Sequence, residues 1–360
     1  MLASVANDSL EEYLFAVVPL FVLMGLLVTV SGVGKDTFDV FQRLLRRMLA
    51  GLGVATVFAN AVFASITGIS IASATVFARV AVPEMTRHGY TRSFATGVVA
   101  GSSVLGMLIP PSLLMIVYAV LAEESIGRMF LAGVGPGLLL AVLFSVTIVL
   151  LARFRPGAVF ARADDAAAEG PMGGGEILRK SVPIVALVVL VLGGLYGGFF
   201  NPTEAGAAGA FGALVVALAR RALDGRTFWN LLVEAGQITV SVLFLILAAT
   251  FFSRMLALSG VPRELAEFLL EGPIGPWGFL VIYLLLIIVL GCLIDSISIM
   301  LILLPIALPV AEAAGFDLIW FGVLTVVAVE MGLLTPPFGL SVYTIKSATV
   351  SYTHLRAHET

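Results

Sequence analysis

Two pairs of adjacent prolines interrupt apolar segments that otherwise look helical. One pair follows Ile109 and the other follows Thr335. Adjacent prolines remove two amide donors and disfavour helix at the residue before them, so Ile109 and Thr335 are expected to leave the helix. The carbonyl groups freed there need a partner in lipid. A buried Na⁺ held by carbonyl and hydroxyl oxygens is one solution, and packing against a neighbouring hairpin is the other.

Small polar runs end two other apolar segments, at 65–73 and 293–298. Such runs suit the tips of helical hairpins, where hydroxyl oxygens could pair with the proline breaks. Asp295 is an acid inside a long apolar run, a costly placement that marks an ion or proton pathway by default. A tip that reaches the lipid headgroups would also explain it. Glu330 is a weaker case, because it could face a polar contact between helices.

The composition identifies a membrane protein. The chain has 360 residues, of which 60% are hydrophobic and 12% charged, against roughly 45–50% and 25% in soluble domains. This balance excludes soluble enzymes and nucleic-acid-binding proteins, and the net charge of -3 gives no sign of polyanion binding. The single cysteine, Cys292, lies in an apolar run, so neither a disulfide framework nor a zinc site is expected.

Eight apolar stretches have about the length that a membrane-spanning helix needs, at 13–30, 94–122, 130–152, 182–199, 204–219, 231–258, 277–293 and 318–345. Two more, 51–65 and 298–313, reach only about 22 Å of a bilayer core of about 30 Å. We expect these two to be re-entrant, unless the sequence simply defines the ends of ordinary spans poorly.

Arg and Lys in the loops predict the orientation, because cytoplasmic loops carry the positive excess. The linker 153–180 contains five of them and the loop 220–226 contains three, whereas the turn 200–203 between them contains none. Both basic loops are therefore expected in the cytoplasm, with Asn201 on the outer side.

An internal repeat appears when the chain is shifted by 226 positions, which lays Ser70 on Ser296. Nine of the 42 positions from Ser70 to Pro111 then agree, among them several Gly and Pro. Basic residues surround the first hairpin and acidic residues the second, so the copies are expected to point in opposite directions. The predicted fold is an all-α polytopic membrane protein with two inverted repeats, each with a re-entrant helical hairpin and a broken transmembrane helix.

The predicted boundaries follow from this repeat. The first repeat covers 1–152, with its hairpin at 51–86 and its broken helix at 94–122. A cytoplasmic linker covers 153–181 and central helices cover 182–230. The second repeat covers 231–350, with its hairpin at 277–313 and its broken helix at 318–345, and 351–360 is taken as a non-native tail.

Six motifs together resemble the large membrane subunit of tripartite ATP-independent periplasmic (TRAP) transporters. They lie at 63–68, 106–112, 125–133, 202–205, 293–295 and 332–339. The resemblance implies an elevator-type, Na⁺-coupled importer of small carboxylates in the bacterial cytoplasmic membrane. It implies as partners a small membrane subunit and a soluble periplasmic binding protein that delivers the substrate. No cofactor other than Na⁺ as coupling ion and no transition-metal site are expected.

The resemblance also implies two Na⁺ sites. The first uses Thr67 with the backbone of Gly106, Ile109 and Pro111. The second uses Asp295 and Thr335 with the backbone of Gly332. Candidates for substrate contact are the serines of the tips and of the first broken helix: Ser65, Ser70, Ser102, Ser103, Ser296 and Ser298.

The chain departs from the family pattern near the first site. Thr67 stands where Ser is usual, Met107 stands where Pro is usual, and Ile69 replaces a small polar residue. Family members also begin one apolar helix earlier and continue past Ala348, so both ends are expected to be incomplete, and 351–360 resembles a translated sequencing adapter.

Other function classes are less compatible with the sequence. A self-sufficient Na⁺/dicarboxylate symporter of similar build, needing no binding protein, is the nearest alternative. No Ser-His, Cys-His or His-Glu-x-x-His arrangement lies within the spans, which argues against an intramembrane enzyme. The absence of an ATP-binding motif argues against a self-contained pump, and paired breaks suit alternating access better than a fixed channel.

Overall fold

The computed structural model describes residues 16–68, 70–161, 173–272, 274–337, 339 and 342–345, with only the backbone at Ile71 and Glu271. Regular structure in this part is helical, apart from an isolated β-bridge between Tyr90 and Phe160. The first half contains α1 (Val17–Val30), α2 (Val33–Leu45), α3 (Gly51–Thr67), α4 (Ser70–Arg87), α5 (Arg92–Ser103), α6 (Leu105–Leu108), α7 (Leu113–Leu121), α8 (Ile126–Phe154) and α9 (Pro156–Val159). The second half contains α10 (Gly174–Tyr196, with a π-helical turn at Val189–Gly193), α11 (Pro202–Ala219), α12 (Gly225–Ser259), α13 (Val261–Glu271), α14 (Gly275–Gly291), α15 (Ser296–Ala313) and α16 (Leu318–Leu334).

Helix length and composition agree with a protein that crosses the membrane several times. Five helices in the described part (α8, α10, α11, α12 and α15) are long and apolar enough to cross a bilayer, and three bent helix pairs pass the same test together. The sequence prediction for 298–313 is wrong in length. The helix begins at Ser296, because Asp295 caps it, and its 18 residues qualify as a span. The other segment predicted to be short, α3, has 17 residues and remains shorter.

Equivalent helices in the two repeats begin and end 226 positions apart, which is the shift found in the sequence. Ser70–Arg87 and Ser296–Ala313 are both 18 residues long and start 226 positions apart. Helices α5 and α6 together run over Arg92–Leu108, and α16 covers the equivalent Leu318–Leu334. The peptide bond between the two prolines is cis at both breaks. Each copy therefore contains a hairpin followed by a helix that stops at its proline pair.

Side-chain caps start the helices of the broken segments. The hydroxyl of Thr91 accepts a hydrogen bond from the N–H of Phe94, and the carboxyl of Asp317 accepts one from Trp320. These two caps stand at equivalent positions of the repeat. Ser112 caps α7 in the same way, by accepting from Met115, so the chain re-enters helix directly after the first break.

The region between the repeats is more helical than the sequence analysis predicted. Helix α10 begins at Gly174, inside the predicted linker 153–181, and residues 162–172 of that linker lie outside the described residues. Helix α12 starts at Gly225 and has 35 residues, so it crosses the predicted boundary at 230 without interruption. The predicted tail 351–360 also lies outside the described residues.

Ion pairs attach the amphipathic helix α2 to the central helices. Asp36 pairs with Arg220 at 2.5 Å, and Asp39 pairs with Lys180 at 2.6 Å. Helix α2 follows α1 after a bend of 64°. Lys180 and Arg220, two of the basic residues that predict the cytoplasmic side, therefore also attach α2 to the central helices.

The packing separates a lipid-facing shell from a buried centre. Helices α8, α10, α12 and α14 expose large apolar side chains, which suits contact with lipid. Helix α3 and the two broken helices are more deeply buried. Helix α16 of the second repeat packs against α6, α7 and α8 of the first.

Candidate ion and substrate site

The tip of the first hairpin contacts the first break through its backbone. Gly68 adopts a left-handed conformation, with φ at +63°, between α3 and α4. Its carbonyl oxygen accepts a hydrogen bond of 3.2 Å from the N–H of Leu113. A Cβ atom at Gly68 would lie 2.7 Å from the carbonyl oxygen of Pro111. The two chain segments are therefore too close for a side chain at this position.

The other residues proposed for the first site surround the same tip. A Cβ atom at Gly106 would lie 3.3 Å from the Cα atom of Ser70, so α6 packs on the start of α4. Ile109 has left the helix as predicted, with φ of -87° and ψ of 123°. Its side chain packs against Gly137 of α8. A Cβ atom at Gly137 would lie only 2.7 Å from Cγ1 of Ile109. The backbone of this break therefore lies beside the tip, and the Ile109 side chain points towards α8.

Thr67 directs its hydroxyl proton away from the tip. Its Oγ1 donates to the carbonyl oxygen of Phe63 at 3.1 Å, and the residue is buried. Thr335 does the same at the second break, donating to the carbonyl oxygen of Met331 at 2.7 Å. A hydroxyl that donates its proton within its own helix keeps lone pairs that can bind a cation. Both threonines present such an oxygen.

The second tip is held by contact between two glycines. A Cβ atom at Gly291, the last residue of α14, would lie 2.7 Å from the Cα atom of Gly332. Thr335 has left the helix as predicted, with φ of -85° and ψ of 135°. Its N–H donates to the carbonyl oxygen of Gly332 at 2.9 Å. The tip of the second hairpin thus touches α16 one turn before the break.

Asp295 is an exposed helix cap in this structure. Its carboxyl accepts a hydrogen bond of 3.1 Å from the N–H of Ser298 and one of 2.5 Å from the Ser298 hydroxyl. No hydrogen bond joins Asp295 to Thr335 in the described part of the chain. The structure therefore places Asp295 at the tip with an exposed side chain, where Ser298 is its partner.

A buried polar cluster in the first repeat was missed by the sequence analysis. The side-chain amide of Asn60 on α3 donates to the Ser102 hydroxyl on α5 at 2.7 Å. The hydroxyl of Ser73 on α4 donates to the Asn60 side-chain oxygen. All three residues are buried. The signal that could have found the cluster is Asn60 itself, the one side-chain amide in the apolar run of α3.

Comparison with known protein families identifies the family of this chain. Residues 1–356 match the family model described as "Tripartite ATP-independent periplasmic transporter, DctM component". The chain belongs to this family. The matched range includes residues 351–356, the first part of the segment that is predicted to be a non-native tail.

Two named TRAP permeases support the assignment, and one solved structure supports the fold. The chain is 34% identical to the C4-dicarboxylate TRAP transporter large permease protein DctM of Pseudomonas aeruginosa, over 95% of this chain and 79% of that protein. It is 29% identical to the 2,3-diketo-L-gulonate TRAP transporter large permease protein YiaN of Escherichia coli, over 94% and 79%. The YdaH transporter of Alcanivorax borkumensis has a similar fold, with a TM-score of 0.62, 16% identity and coverage of 91% and 77%. This chain is thus a multi-pass permease of the bacterial inner membrane and a transport protein rather than an enzyme.

The proposed substrate-contacting serines of this TRAP permease lie in different surroundings. Ser65 and Ser103 donate to carbonyl oxygens of their own helices, at 2.7 and 2.8 Å. Ser102 belongs to the Asn60 cluster, and Ser296 is buried at the start of α15. Ser70 donates to Glu330 on α16, at 3.1 Å. Glu330 faces a polar contact between helices, the alternative that the sequence had left open.

Proposed function

We propose that this TRAP permease is the large membrane subunit of a Na⁺-coupled importer of small carboxylates. It would act with a small membrane subunit and with a periplasmic binding protein that delivers the substrate. The observation that carries the proposal has two parts. The first hairpin tip contacts the first break, and the second tip touches α16 one turn before the second break. Beside each lies a threonine hydroxyl that donates its proton to a carbonyl four residues earlier. An all-oxygen environment of hydroxyl and carbonyl groups suits a hard cation such as Na⁺.

The first proposed ion site comprises Thr67 and the backbone of Gly106, Ile109 and Pro111. The second comprises Asp295, Thr335 and the backbone of Gly332. In the second site, Asp295 would have to turn from Ser298 towards Thr335 when the ion binds. The hydrogen bonds of Asp295 are made within its own tip, so this change requires no unfolding of α15.

The relatives point to an acid as the substrate. Three relatives that are 32% to 34% identical to this chain are named C4-dicarboxylate permeases, and others are named for sialic acid and 2,3-diketo-L-gulonate. Helices α4 and α15 both begin at a tip, and the positive end of a helix favours an anion. Ser296, the first residue of α15, is the hydroxyl candidate for the substrate carboxylate. Ser70, the first residue of α4, already donates its hydroxyl proton to Glu330.

Transport by the complete system tests the proposal. The permease and its small subunit are reconstituted in liposomes, and uptake of labelled succinate and other acids is measured with and without the binding protein, under a Na⁺ or a choline gradient. We expect uptake only with the binding protein and inward Na⁺. Uptake without the binding protein would support the self-sufficient symporter, and uptake that is equal in choline would contradict Na⁺ coupling.

A further inference from the structure

A hydrogen bond joins the two repeats beside the tip of the first hairpin. The Ser70 hydroxyl donates to Oε2 of Glu330 at 3.1 Å, across 260 positions of the chain. Both residues are 1% exposed. Ser70 is the first residue of α4, and Glu330 lies on α16. The bond therefore ties the tip of the first hairpin to the broken helix of the second repeat.

Glu330 is an unusual residue for its position. It is the one charged residue in the sequence of α16, and a buried carboxyl group in an apolar region is costly unless it has a role. Its second oxygen, Oε1, is buried and has no hydrogen-bond partner among the described residues. The equivalent position in the first repeat is Val104, so the internal symmetry does not account for the acid.

The bond also lies between the two proposed ion sites. On the side of the first site, Ser70 packs against Gly106, where a Cβ atom would lie 3.3 Å from the Ser70 Cα atom. On the side of the second site, Glu330 precedes Gly332 by two residues, and Gly332 contacts Gly291 at the second tip. Glu330 and Gly332 lie on the same helix, so a displacement of the second tip that moves α16 would also move Glu330 and, through the hydrogen bond, Ser70.

We propose that Glu330 is a positioning residue that couples the two cation sites through its hydrogen bond with Ser70. This inference rests on the proposed function. Binding of Na⁺ at one tip fixes the tip in place, and the bond passes that constraint to the other tip, so the second ion binds to a site that is already ordered. Glu330 is not itself a ligand of either ion. Such a link is a coupling free energy between two sites, which appears as cooperativity in Na⁺ dependence.

The test compares variants that remove the hydrogen bond with one that keeps it. Glu330→Leu and Ser70→Ala each lose the bond, whereas the side-chain oxygen of Glu330→Gln still accepts it. Initial uptake is measured against Na⁺ concentration in the complete transporter with its binding protein. We expect a lower Hill coefficient in Glu330→Leu and Ser70→Ala than in the wild type and Glu330→Gln. It should fall to the value for two independent sites that must both be filled. The half-saturating Na⁺ concentration should rise by about fivefold or more when the bond is lost.

Two controls separate coupling from other effects. Thr325→Val removes a buried hydroxyl from the same helix, one that contacts Tyr283 and Phe321 and no tip, and it should leave the Hill coefficient unchanged. The double variant Ser70→Ala/Glu330→Leu should resemble the single ones, because both remove one interaction. If Glu330→Leu fails to fold, Ser70→Ala alone is compared with the wild type as the variant that lacks the hydrogen bond. A direct role of Ser70 in substrate binding would raise the KM for substrate in Ser70→Ala but not in Glu330→Leu.

The possible results are distinct. An unchanged Hill coefficient in both Ser70→Ala and Glu330→Leu, with a cooperative wild type, overturns the coupling proposal alone. A Glu330→Gln variant as defective as Glu330→Leu shows that the charge is needed, and also overturns it. Wild-type uptake that does not depend on Na⁺ would overturn the proposed function, and the coupling with it.

Discussion

The N–H of Leu113 donates a hydrogen bond of 3.2 Å to the carbonyl oxygen of Gly68, so the first hairpin closes onto the first break through the backbone alone. Leu113 is the first residue of α7, and its N–H has no partner within the helix. The tip thereby satisfies one of the groups that the proline pair leaves without a helical partner. Of the two solutions that the sequence leaves open for the first break, the structure shows packing against the hairpin, and cation binding stays a proposal.

Gly68→Ala should destabilise this contact. Alanine is strained at the left-handed φ of Gly68, at a cost of about 1–2 kcal/mol. Its Cβ atom would also lie 2.7 Å from the Pro111 carbonyl oxygen, and such overpacking costs about 1–3 kcal/mol more. The measurement is thermal unfolding of the purified permease. Gly315→Ala is the matched control, because Gly315 has a φ of +75° but open space around its Cβ position. Equal losses in the two variants would show that the contact with Pro111 contributes nothing.

The Asn60 cluster should stabilise the first repeat. Asn60→Leu leaves the Ser73 hydroxyl without its acceptor, whereas the Ser102 hydroxyl still donates to the carbonyl oxygen of Val99. A buried group left unsatisfied costs about 1–3 kcal/mol. We expect a lower unfolding temperature for Asn60→Leu and a smaller decrease for Ser102→Ala. A double-mutant cycle on Asn60 and Ser102 measures their interaction. Strictly additive effects would mean that the hydrogen bond of 2.7 Å does not hold α3 to α5.

The sequence could predict those features that depend on the residue types in a short segment of the chain. The proline pairs were enough to predict that Ile109 and Thr335 lie outside the helix. The matching Gly and Pro residues were enough to predict the positions of the two repeats in the sequence. The contact between Ser70 and Glu330 depends on how α16 packs against the first repeat, which no local pattern encodes. For Asp295 the sequence left two possibilities, an ion ligand and an interfacial tip. The structure shows an exposed cap, and exposure is set by the neighbouring helices rather than by the apolar run around the residue.

The opposite orientation of the two repeats stays a prediction, and the repeat offers a direct test. Arg87 ends α4 and Ala313 ends α15, at equivalent positions, and both are exposed. Single cysteines are placed at each position in a background without Cys292. The charge bias predicts that a membrane-impermeant reagent labels intact cells only at position 313. Labelling at both positions, or only at 87, would contradict the inverted arrangement.

Asp295→Asn and Thr335→Val should weaken Na⁺ coupling with little effect on folding. Asparagine caps a helix about as well as aspartate, so Asp295→Asn removes the charge and keeps the start of α15. A neutral amide oxygen attracts Na⁺ less strongly than a carboxylate. We expect the half-saturating Na⁺ concentration to rise by about tenfold, equivalent to about 1.4 kcal/mol, with a smaller rise for Thr335→Val. Thr335→Ser keeps the hydroxyl and serves as the matched control. The measurement is uptake against Na⁺ concentration in the complete transporter. If Asp295→Asn leaves the half-saturating concentration, the Hill coefficient and the maximal rate unchanged, Asp295 is only the helix cap that its contacts with Ser298 show, and the second ion site must be sought among Thr335 and the carbonyl groups around Gly332.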